Sequence, residues 1–369
     1  MQSKNDLEKL LKSCLNYPSG DNCQPFQFNI LSSTSFEIYH DSEKSKHRLN
    51  FLHSASLISF GSLIETISLQ ALSINQKIDI DYSVADFSKM TGRQLWAKIS
   101  ISRTTQEITN SEPLLWKHLA NRCVDRRPYG SAPVPSNLIQ WLTKEAQKNS
   151  NLSFGFSREL SPELTTVLMK NEEVAWKDIF LVKDILKWIR FNKKVAQQTK
   201  DGMTWKSLQL KSFQKPFMKL FSIFPRIYYF IAQLGATKAN SDILKQQFKN
   251  SGGFGWLALS TSDPIQIIDS GRTFFRMWVY LNSQGYGFQP IALATLPTHQ
   301  FHFQKLPDNW STKLKKMYPK VAALIQKDFH IPPEFIPIIG FRTGQTTPLQ
   351  QEAYCLRKPL HEVQYRPSA

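Results

Sequence analysis

Residues 52–74 constrain the fold more than any other segment. This stretch, LHSASLISFGSLIETISLQALSI, has helical spacing, and Glu65 is its one residue of the types Asp, Glu, Lys and Arg. A helix that is apolar on most sides has to be enclosed by other elements of the fold. No run of about 18 uncharged apolar residues occurs in the chain, so we expect no membrane-spanning helix. The longest candidate, residues 217–234, is interrupted by two basic residues and a proline.

A second helix of this kind is predicted at residues 265–285, IQIIDSGRTFFRMWVYLNSQG. Each of the two segments has a glycine about one turn into the helix, then apolar residues, then a small polar exit before a strand. Two unrelated core helices would share these properties. The chain has 369 residues, however, and a domain usually holds about 100–200. The sequence therefore favours two domains or two halves of one duplicated domain.

The remaining patterns predict helices and strands on both sides of a polar connection at residues 104–113. In the first half, a helix at 5–16 leads to strands at 26–30, 35–39, 77–82 and 95–102. In the second half, helices at 114–120, 137–149, 162–171 and 311–328 accompany strands at 152–157, 256–260 and 336–341. Residues 172–250 are helical, basic and aromatic.

Charge is the strongest compositional signal. Lys and Arg number 46 against 29 Asp and Glu, a formal net charge of +17, which suggests an anionic partner such as nucleic acid, phosphate, a cofactor or a membrane surface. The four cysteines form no CxxC pair and the eight histidines no HExxH motif, so we expect no metal site and reduced thiols, as in the cytoplasm. The N-terminus lacks the apolar core of a signal peptide. No P-loop is present, and no GxGxxG follows a strand.

The sharpest local motif is the turn at residues 18–26, PSGDNCQPF, between a predicted helix and a predicted strand. Pro, Gly, Asp and Asn build such a turn. Its backbone N–H groups and short polar side chains can hydrogen-bond a flat heteroaromatic ring or a ribityl chain. An ordinary helix-to-strand turn has the same composition. Cys23 in this turn is either a reactive thiol or a small turn residue.

A second motif is a cluster of three arginines, Arg122, Arg126 and Arg127, at a helix-to-loop junction. Three guanidinium groups within six residues suit a phosphate through bidentate, charge-assisted hydrogen bonds. A solvated basic turn is the alternative. Arg342, in the sequence GFRTG at 340–344, could join them, although a lone arginine at a strand end is usually a surface residue.

Taken together, these motifs resemble the nitroreductase family. The resemblance rests on the turn at 18–26, on the arginine cluster followed by Tyr129 and the Pro133–Pro135 turn, on Gly271 and Gly285 before Pro290, and on Gly340–Arg342 followed by RKPLHEV at 357–363. It spans Pro18 to Val363. It implies an α+β fold with central antiparallel or mixed sheets flanked by helices, and two similar halves at residues 1–115 and 116–369.

The order of the motifs departs from that of an ordinary family member. There the arginine element comes first and the turn follows about 30 residues later, whereas here the turn comes first and the arginine element about a hundred residues after it. This resembles the twin, fused members of the family, in which one chain mimics the homodimer. The resemblance implies a monomeric, single-chain pseudo-dimer with one FMN.

The implied site is composite, and the flavin carries the chemistry without a catalytic side chain. The first half would face the flavin ring and ribityl chain, the arginines of the second half would hold the phosphate, and the segment from Pro290 would lie near flavin N5. The implied cofactor-binding residues are Pro18, Ser19, Asn22, Gln24, Arg122, Arg126, Arg127, Pro290, Ala292, Leu293 and Arg342. Two nearby histidines, His299 and His302, are either proton donors or polar loop residues.

Residues 181–230 are the most distinctive region, with eleven Lys or Arg against two acidic residues and many interleaved aromatics. In the resemblance they belong to an insertion at about 172–250 that caps the flavin, with Trp205, Phe213 and Phe217 as substrate-lid residues. A basic, aromatic amphipathic helix can also rest on an anionic membrane surface, which would place the protein peripherally at the inner face of the membrane. No RRM, KH or helix-turn-helix pattern supports nucleic-acid binding.

Three functions are compatible with the sequence. The favoured one is an FMN-dependent oxidoreductase acting on a small aromatic or heterocyclic molecule. It would be either an NAD(P)H-dependent nitro or quinone reductase, or a dehydrogenase or oxidase in small-molecule biosynthesis. The second is a flavin-sequestering protein with little turnover. The third is a membrane- or nucleic-acid-associated basic protein without flavin.

Overall fold

The computed structural model describes residues 3–83, 91–104, 114–210, 214–304 and 310–366, so the proposed lid residue Phe213 and most of the polar connection lie outside the described residues. The α-helices are α1 (Lys4–Cys14), α2 (Ser54–Leu72), α3 (Ser136–Gln147), α4 (Pro162–Ala175), α5 (Ile179–Lys187), α6 (Lys193–Thr199), α7 (Gln214–Ile223), α8 (Pro225–Ile231), α9 (Thr237–Lys249), α10 (Pro264–Ser283), α11 (Thr295–Phe303), α12 (Thr312–Asp328) and α13 (Leu360–Val363). The strands are β1 (Phe26–Ile30), β2 (Ser35–Asp41), β3 (Gln76–Tyr82), β4 (Arg93–Arg103), β5 (Leu152–Ser157), β6 (Ile189–Arg190), β7 (Met203–Thr204), β8 (Gly253–Leu259), β9 (Tyr286–Ile291) and β10 (Ile336–Gln345).

The strands form two four-stranded antiparallel sheets flanked by helices, which confirms the predicted α+β class. The first sheet has the order β1-β2-β4-β3, and the second the order β5-β8-β10-β9. All strands of the first sheet precede residue 104, and all strands of the second follow residue 151. The short β6 and β7 pair in parallel within residues 172–250. We call this segment the cap.

Helices α2 and α10 cross at the centre of the molecule, and two glycines set their separation. A Cβ atom on Gly61 would lie 2.0 Å from the carbonyl oxygen of Ile268, and one on Gly271 would lie 2.3 Å from that of Ile58. In both cases the carbonyl belongs to the residue three positions before the glycine of the opposite helix. The contact is therefore reciprocal, as it would be across an approximate twofold axis.

Helix α2 is buried along nearly its whole length, as its sequence predicted. Residues 48–72 are long and apolar enough to cross a membrane by composition, but 78% of the most apolar window is buried inside the fold. The single acidic residue of this helix, Glu65, is itself buried and lies 3.0 Å from Arg272 and 2.9 Å from Arg276. Burial opposes its ionisation, but the two guanidinium groups outweigh that effect and lower the pKa of Glu65.

The C-terminal segment crosses from the second sheet to the first. After α13, the Tyr365 N–H donates to the Phe28 carbonyl at 2.9 Å, and Gln364 forms a parallel bridge with the same residue of β1. Chain from the second half thus lies against the edge strand of the first-half sheet.

The helix expected at 114–120 is a 3₁₀ helix, Leu115–Asn121. The segment carrying His299 and His302 is helix α11 rather than a loop.

Candidate functional site

A cavity of about 1030 Å³ lies between the turn at residues 18–25, the arginine segment 122–126, the end of β9 and the helices of the cap. Both halves of the chain contribute to its walls. The cavity is therefore composite, and it brings together most of the residues that the sequence singled out.

The turn at residues 18–25 has a strained backbone. Positive φ angles occur at three of its residues that are not glycine: 50° at Asp21, 57° at Asn22 and 49° at Gln24. Such left-handed conformations cost free energy outside glycine, least for Asn and Asp. They occur preferentially where the surrounding structure fixes a functional geometry.

Asn22 joins the turn to two distant segments. Its side-chain amide donates to the carbonyls of Gly202 at 2.8 Å and Leu356 at 3.0 Å. The residue is 4% exposed and lines the cavity. Its Oδ1 has no hydrogen-bond partner among the described residues, and a buried acceptor without a partner costs free energy. This oxygen is thus available to a donor on a bound molecule.

The other turn residues differ in their access to the cavity. Pro18, Ser19 and Cys23 line it. The Ser19 hydroxyl accepts from the Gln24 N–H at 3.0 Å. Gln24 does not line the cavity, because its side chain donates to the Lys200 carbonyl and accepts from the Lys358 N–H. Burial raises the pKa of the Cys23 thiol to about 12, which favours a turn residue over a reactive thiol.

Arg122 and Arg357 converge on Asn16 at one wall of the cavity. Arg122 donates to the Asn16 carbonyl at 3.1 and 3.2 Å and stacks 4.6 Å from the Trp278 ring centroid. Arg357 donates to Asn16 Oδ1 at 3.3 Å, and its Nη1 has no hydrogen-bond partner among the described residues. Burial, together with the neighbouring Arg357, lowers the pKa of Arg122 to about 10.

Arg126 and Arg342 also line the cavity. Arg126 donates to the Ser207 carbonyl at 3.0 Å, which ties the arginine segment to the cap. Arg342 is 1% exposed, donates to Gln289 Oε1 at 2.6 Å and stacks 4.1 Å from the Tyr129 ring centroid. Within the described ranges, none of these arginines, Arg122, Arg126, Arg342 and Arg357, forms an ion pair with a carboxylate.

Arg127 is placed differently from its two neighbours. Its guanidinium group makes a bidentate ion pair with Asp125, with the shortest contact at 2.7 Å, and donates to Thr346 Oγ1 at 2.8 Å. It does not line the cavity. The side chain therefore holds its own loop to the segment after β10.

The residues proposed to lie near flavin N5, Pro290, Ala292 and Leu293, all line the cavity. They lie where the edge strand β9 ends and the chain turns into α11. His299, on α11, does not line the cavity. Its Nε2 lies 3.2 Å from the Thr261 carbonyl, and burial lowers its pKa to about 4, so it is a neutral structural residue at neutral pH.

Of the described lid residues, Phe217 lines the cavity and Trp205 does not. The ammonium group of Lys215 lies over the Trp205 ring, 5.0 Å from the ring centroid. Phe217 is 59% exposed on α7, so it lies between the cavity and solvent.

An acid–histidine pair at the cavity wall was not predicted. The His47 Nδ1 accepts from the Leu49 N–H at 3.0 Å, and its Nε2 lies 3.4 Å from Asp21 Oδ2. Burial raises the pKa of Asp21, while His47 and Arg126 oppose that shift. Asp21 could have been suspected because it lies inside the turn motif. Arg357 could have been suspected from the RKPLHEV motif, whereas His47 carries no sequence signal.

Comparison with known proteins gives distant structural likenesses only. No protein-family model matches the chain, and no curated protein matches it. The FMN-dependent nitroreductase NfnB from Mycobacterium smegmatis, solved in complex with NADPH, is similar with a TM-score of 0.36 and 9% identity over 68% of this chain and 95% of that chain. The FMN- and NADPH-dependent nitroreductase NfnB from Sphigopyxis sp. strain HMH is similar with a TM-score of 0.38 and 12% identity over 69% of this chain and 99% of that chain. The putative nitroreductase from Anabaena variabilis is similar with a TM-score of 0.32 and 10% identity over 93% of this chain and 74% of that chain.

Proposed function

We propose that this protein is an FMN-dependent oxidoreductase of the nitroreductase type that acts on a small aromatic or heterocyclic molecule. The observation that carries the proposal is the group of cavity arginines without carboxylate partners, which faces the same cavity as the strained turn at 18–25. A buried guanidinium group that lacks an acid favours an anionic ligand. A flavin mononucleotide has one phosphate and one flat polar ring, and the cavity has groups suited to each.

The residues present fit this cofactor. Arg122, Arg126 and Arg357 would hold the phosphate. Arg122 is 3% exposed, none of the three pairs with an acid within the described ranges, and Nη1 of Arg357 has no hydrogen-bond partner there. The carbonyl-like Oδ1 of Asn22 would accept from an N–H group of the ring. When bound, FMN supplies hydride transfer, and the protein supplies binding, orientation and electrostatics.

Other residues of the site would shape and protect it. Arg342 would fix the position of β9 through Gln289, and the turn into α11 would bring backbone N–H groups toward the ring. N–H groups in the first turn of a helix lack intrahelical partners and can stabilise negative charge. Phe217 and the aromatic cap would exclude water from the reacting groups.

The proposal includes a single-chain pseudo-dimer. It is supported by the reciprocal glycine contact between α2 and α10, by one antiparallel sheet on each side of residue 115, and by the C-terminal segment that pairs with β1. A chain that supplies both sides of its own interface needs no second copy to complete the site, so we propose a monomer.

The purified protein should be yellow and should release FMN on denaturation. We expect Arg122→Ala/Arg126→Ala to lose most of the bound FMN, because removing two charge-assisted phosphate contacts costs roughly 3 kcal/mol or more. The matched control is Arg158→Ala, whose side chain is 61% exposed and, among the described residues, forms an ion pair with the adjacent Glu159 alone. An unaltered FMN content in the double variant would overturn the phosphate assignment.

Anaerobic spectroscopy would separate the directions of electron flow. Bleaching of the flavin by NADH or NADPH indicates a nitro or quinone reductase. A flavin that stays oxidised with both nucleotides but is reduced by an organic substrate indicates a dehydrogenase or oxidase. Resistance to all of them indicates the alternative function, a flavin-sequestering protein.

A further inference from the structure

One end of the cavity is enclosed by cap helices and is almost wholly apolar. We call this end the cap chamber; its walls include Leu168, Trp176, Ile185, Phe221, Tyr228 and Ile231. The rings of Phe221 and Tyr228 are 5.2 Å apart, and those of Trp176 and Tyr228 are 6.1 Å apart. The cavity-lining residues of α4, α5, α7 and α8 include no Lys, Arg or Asp.

Two adjacent polar residues of α4 interrupt this apolar lining, Asn171 and Glu172. The Glu172 carboxyl accepts from Trp176 Nε1 at 2.6 Å, its one side-chain hydrogen bond among the described residues. Asn171 is 1% exposed, and its Nδ2 has no hydrogen-bond partner in the part of the chain that the structure describes. Leaving a buried donor without a partner is costly, so a bound group that satisfies it would be favoured.

We propose that Glu172, assisted by Asn171, is the polar anchor of the substrate pocket and binds a carbonyl or similar oxygen of an uncharged aromatic substrate. The apolar walls select the flat, uncharged body of the substrate, and the two side chains select the oxygen. This assignment rests on the proposed function, because it places the substrate in the same cavity as the flavin.

The protonation state of Glu172 fits this role. Burial raises the pKa of Glu172 to about 7, and the hydrogen bond from Trp176 opposes the shift. No charged group adds to these two causes. Below that pH the carboxyl is neutral and can donate a hydrogen bond to an oxygen, which a carboxylate cannot do.

The test compares two probes that differ by one oxygen, 1-indanone and indane, in calorimetric titrations at about pH 5.5. The wild-type protein should bind 1-indanone more tightly than indane. Glu172→Leu should lower that preference roughly 3- to 10-fold, the loss of one hydrogen bond. Glu172→Gln retains a donor of the same shape and should keep the preference. Glu163→Leu, on the exposed face of the same helix, is the matched control.

Asn171→Leu removes the donor at nearly the same side-chain volume, and it should also weaken the binding of 1-indanone without affecting that of indane. Circular dichroism establishes that each variant is folded. An equal affinity of the wild type for both probes, no measurable binding of either, or a preference unchanged in Glu172→Leu would overturn the anchor.

FMN content is measured on the same samples. A Glu172-dependent preference in a protein without FMN would uphold the anchor and defeat the flavin assignment. Bound FMN without such a preference would do the reverse.

An independent observation concerns the outside of the cap. Nine of the fourteen exposed large apolar side chains of the described residues fall between positions 217 and 243. They are Phe217, Leu220, Ile223, Phe224, Ile227, Tyr229, Phe230, Leu234 and Ile243. We call the first seven of these, which lie on α7, on α8 or at the junction between them, the α7–α8 surface. Soluble proteins rarely leave apolar side chains exposed in such a cluster, and larger patches mark interaction sites.

The charge around this surface has one sign. Residues 202–241 contain six Lys or Arg and no Asp or Glu. Among them, Lys219 on α7 and Arg226 on α8 lie between the exposed apolar residues, and Lys215 precedes these residues on α7. Exposed aromatics bordered by bases are suited to the interface of a bilayer with anionic headgroups.

We infer that the α7–α8 surface docks on an anionic lipid membrane. Because α7 also lines the cavity through Phe217 and Phe221, docking would bring the cavity next to the bilayer.

Vesicle co-sedimentation tests this inference with phosphatidylcholine vesicles, with and without about 30% phosphatidylglycerol. The protein should bind the anionic vesicles and be released by salt. Phe224→Ser/Phe230→Ser should reduce binding at least about 10-fold. The control variant Leu31→Ser/Ile74→Ser changes two exposed apolar residues elsewhere on the protein. It should bind the anionic vesicles as the wild type does. Absence of binding, binding independent of these phenylalanines, or a solution dimer that requires them would overturn the inference.

Discussion

Alanine at either crossing glycine should separate helices α2 and α10. At Gly61 the new Cβ would lie 2.0 Å from the Ile268 carbonyl oxygen and 2.8 Å from the Arg272 nitrogen, where ordinary contacts begin at 3.4 Å. All the nearest atoms belong to the backbone, so no side-chain rotation relieves the overlap. The helices have to move apart by about 1 Å or more, and the surrounding core has to follow.

The expected cost follows from two opposing effects. Overpacking a well-packed core costs about 1–3 kcal/mol, and this overlap is at the severe end. Alanine in place of glycine inside a helix regains about 1 kcal/mol of helix propensity. We therefore expect Gly61→Ala to lower the free energy of unfolding by about 2 kcal/mol. Gly271→Ala should cost a similar amount, because its Cβ would lie 2.3 Å from the Ile58 carbonyl oxygen.

The double variant gives the sharper result. Once one alanine has separated the helices, the second meets less resistance, so the two costs should fall short of additive by at least about 1 kcal/mol. Chemical denaturation of the four proteins measures this coupling, and Ser68→Ala on the same helix controls for helix propensity. Strict additivity, or stabilisation by either single change, would refute the close reciprocal crossing.

Three further predictions follow from individual groups. The free energy of unfolding of the wild type should fall by about 3 kcal/mol at most as pH rises from 4.5 to about 7, because folded Glu172 keeps a proton that the unfolded chain loses. Chemical denaturation of Glu172→Gln should lack this loss. A pH profile of the variant that runs parallel to that of the wild type would contradict the prediction. Cys23, with a pKa of about 12, should react with iodoacetamide more slowly than Cys355, which mass spectrometry can follow; fast labelling of Cys23 would argue against its burial. His299, with a pKa of about 4, should show no NMR titration between about pH 5.5 and 8.

The sequence predicted elements well where pattern and turn residues agreed. Strands β1 and β5 begin and end where their alternating residues and flanking turns predicted. Helix α11 was missed because Pro297 is its third residue. Proline suggests a break in a pattern, yet it is tolerated in the first turn of a helix, where the lost N–H has no partner.

The site was only partly predictable, because side-chain partners depend on tertiary contacts. Arg127 looks equivalent to Arg122 in sequence, but Asp125, two residues earlier, captures its guanidinium group. Arg342 was expected to join the phosphate-binding arginines, with a surface position at a strand end as the alternative. It is buried because β10 lies between β8 and β9, so neighbouring strands and the Tyr129 ring enclose it. Neither outcome can be deduced from local sequence.

The net charge of +17 combines exposed and buried groups, whose charges have different consequences. Exposed lysines of the cap are solvated and cost little, whereas Arg122 is 3% exposed, and burial with its neighbour Arg357 lowers its pKa to about 10. A buried cation without an acid destabilises the folded protein until an anion reaches it.

Protein stripped of flavin should therefore melt at a lower temperature, and inorganic phosphate should restore part of the difference. A ligand at 100 times its dissociation constant adds about 2.7 kcal/mol. In Arg122→Ala/Arg126→Ala the phosphate effect should largely disappear, while the Arg158→Ala control should keep it. If phosphate shifts the melting temperature of the double variant as much as that of the wild type, the stabilising anion binds elsewhere on this basic chain.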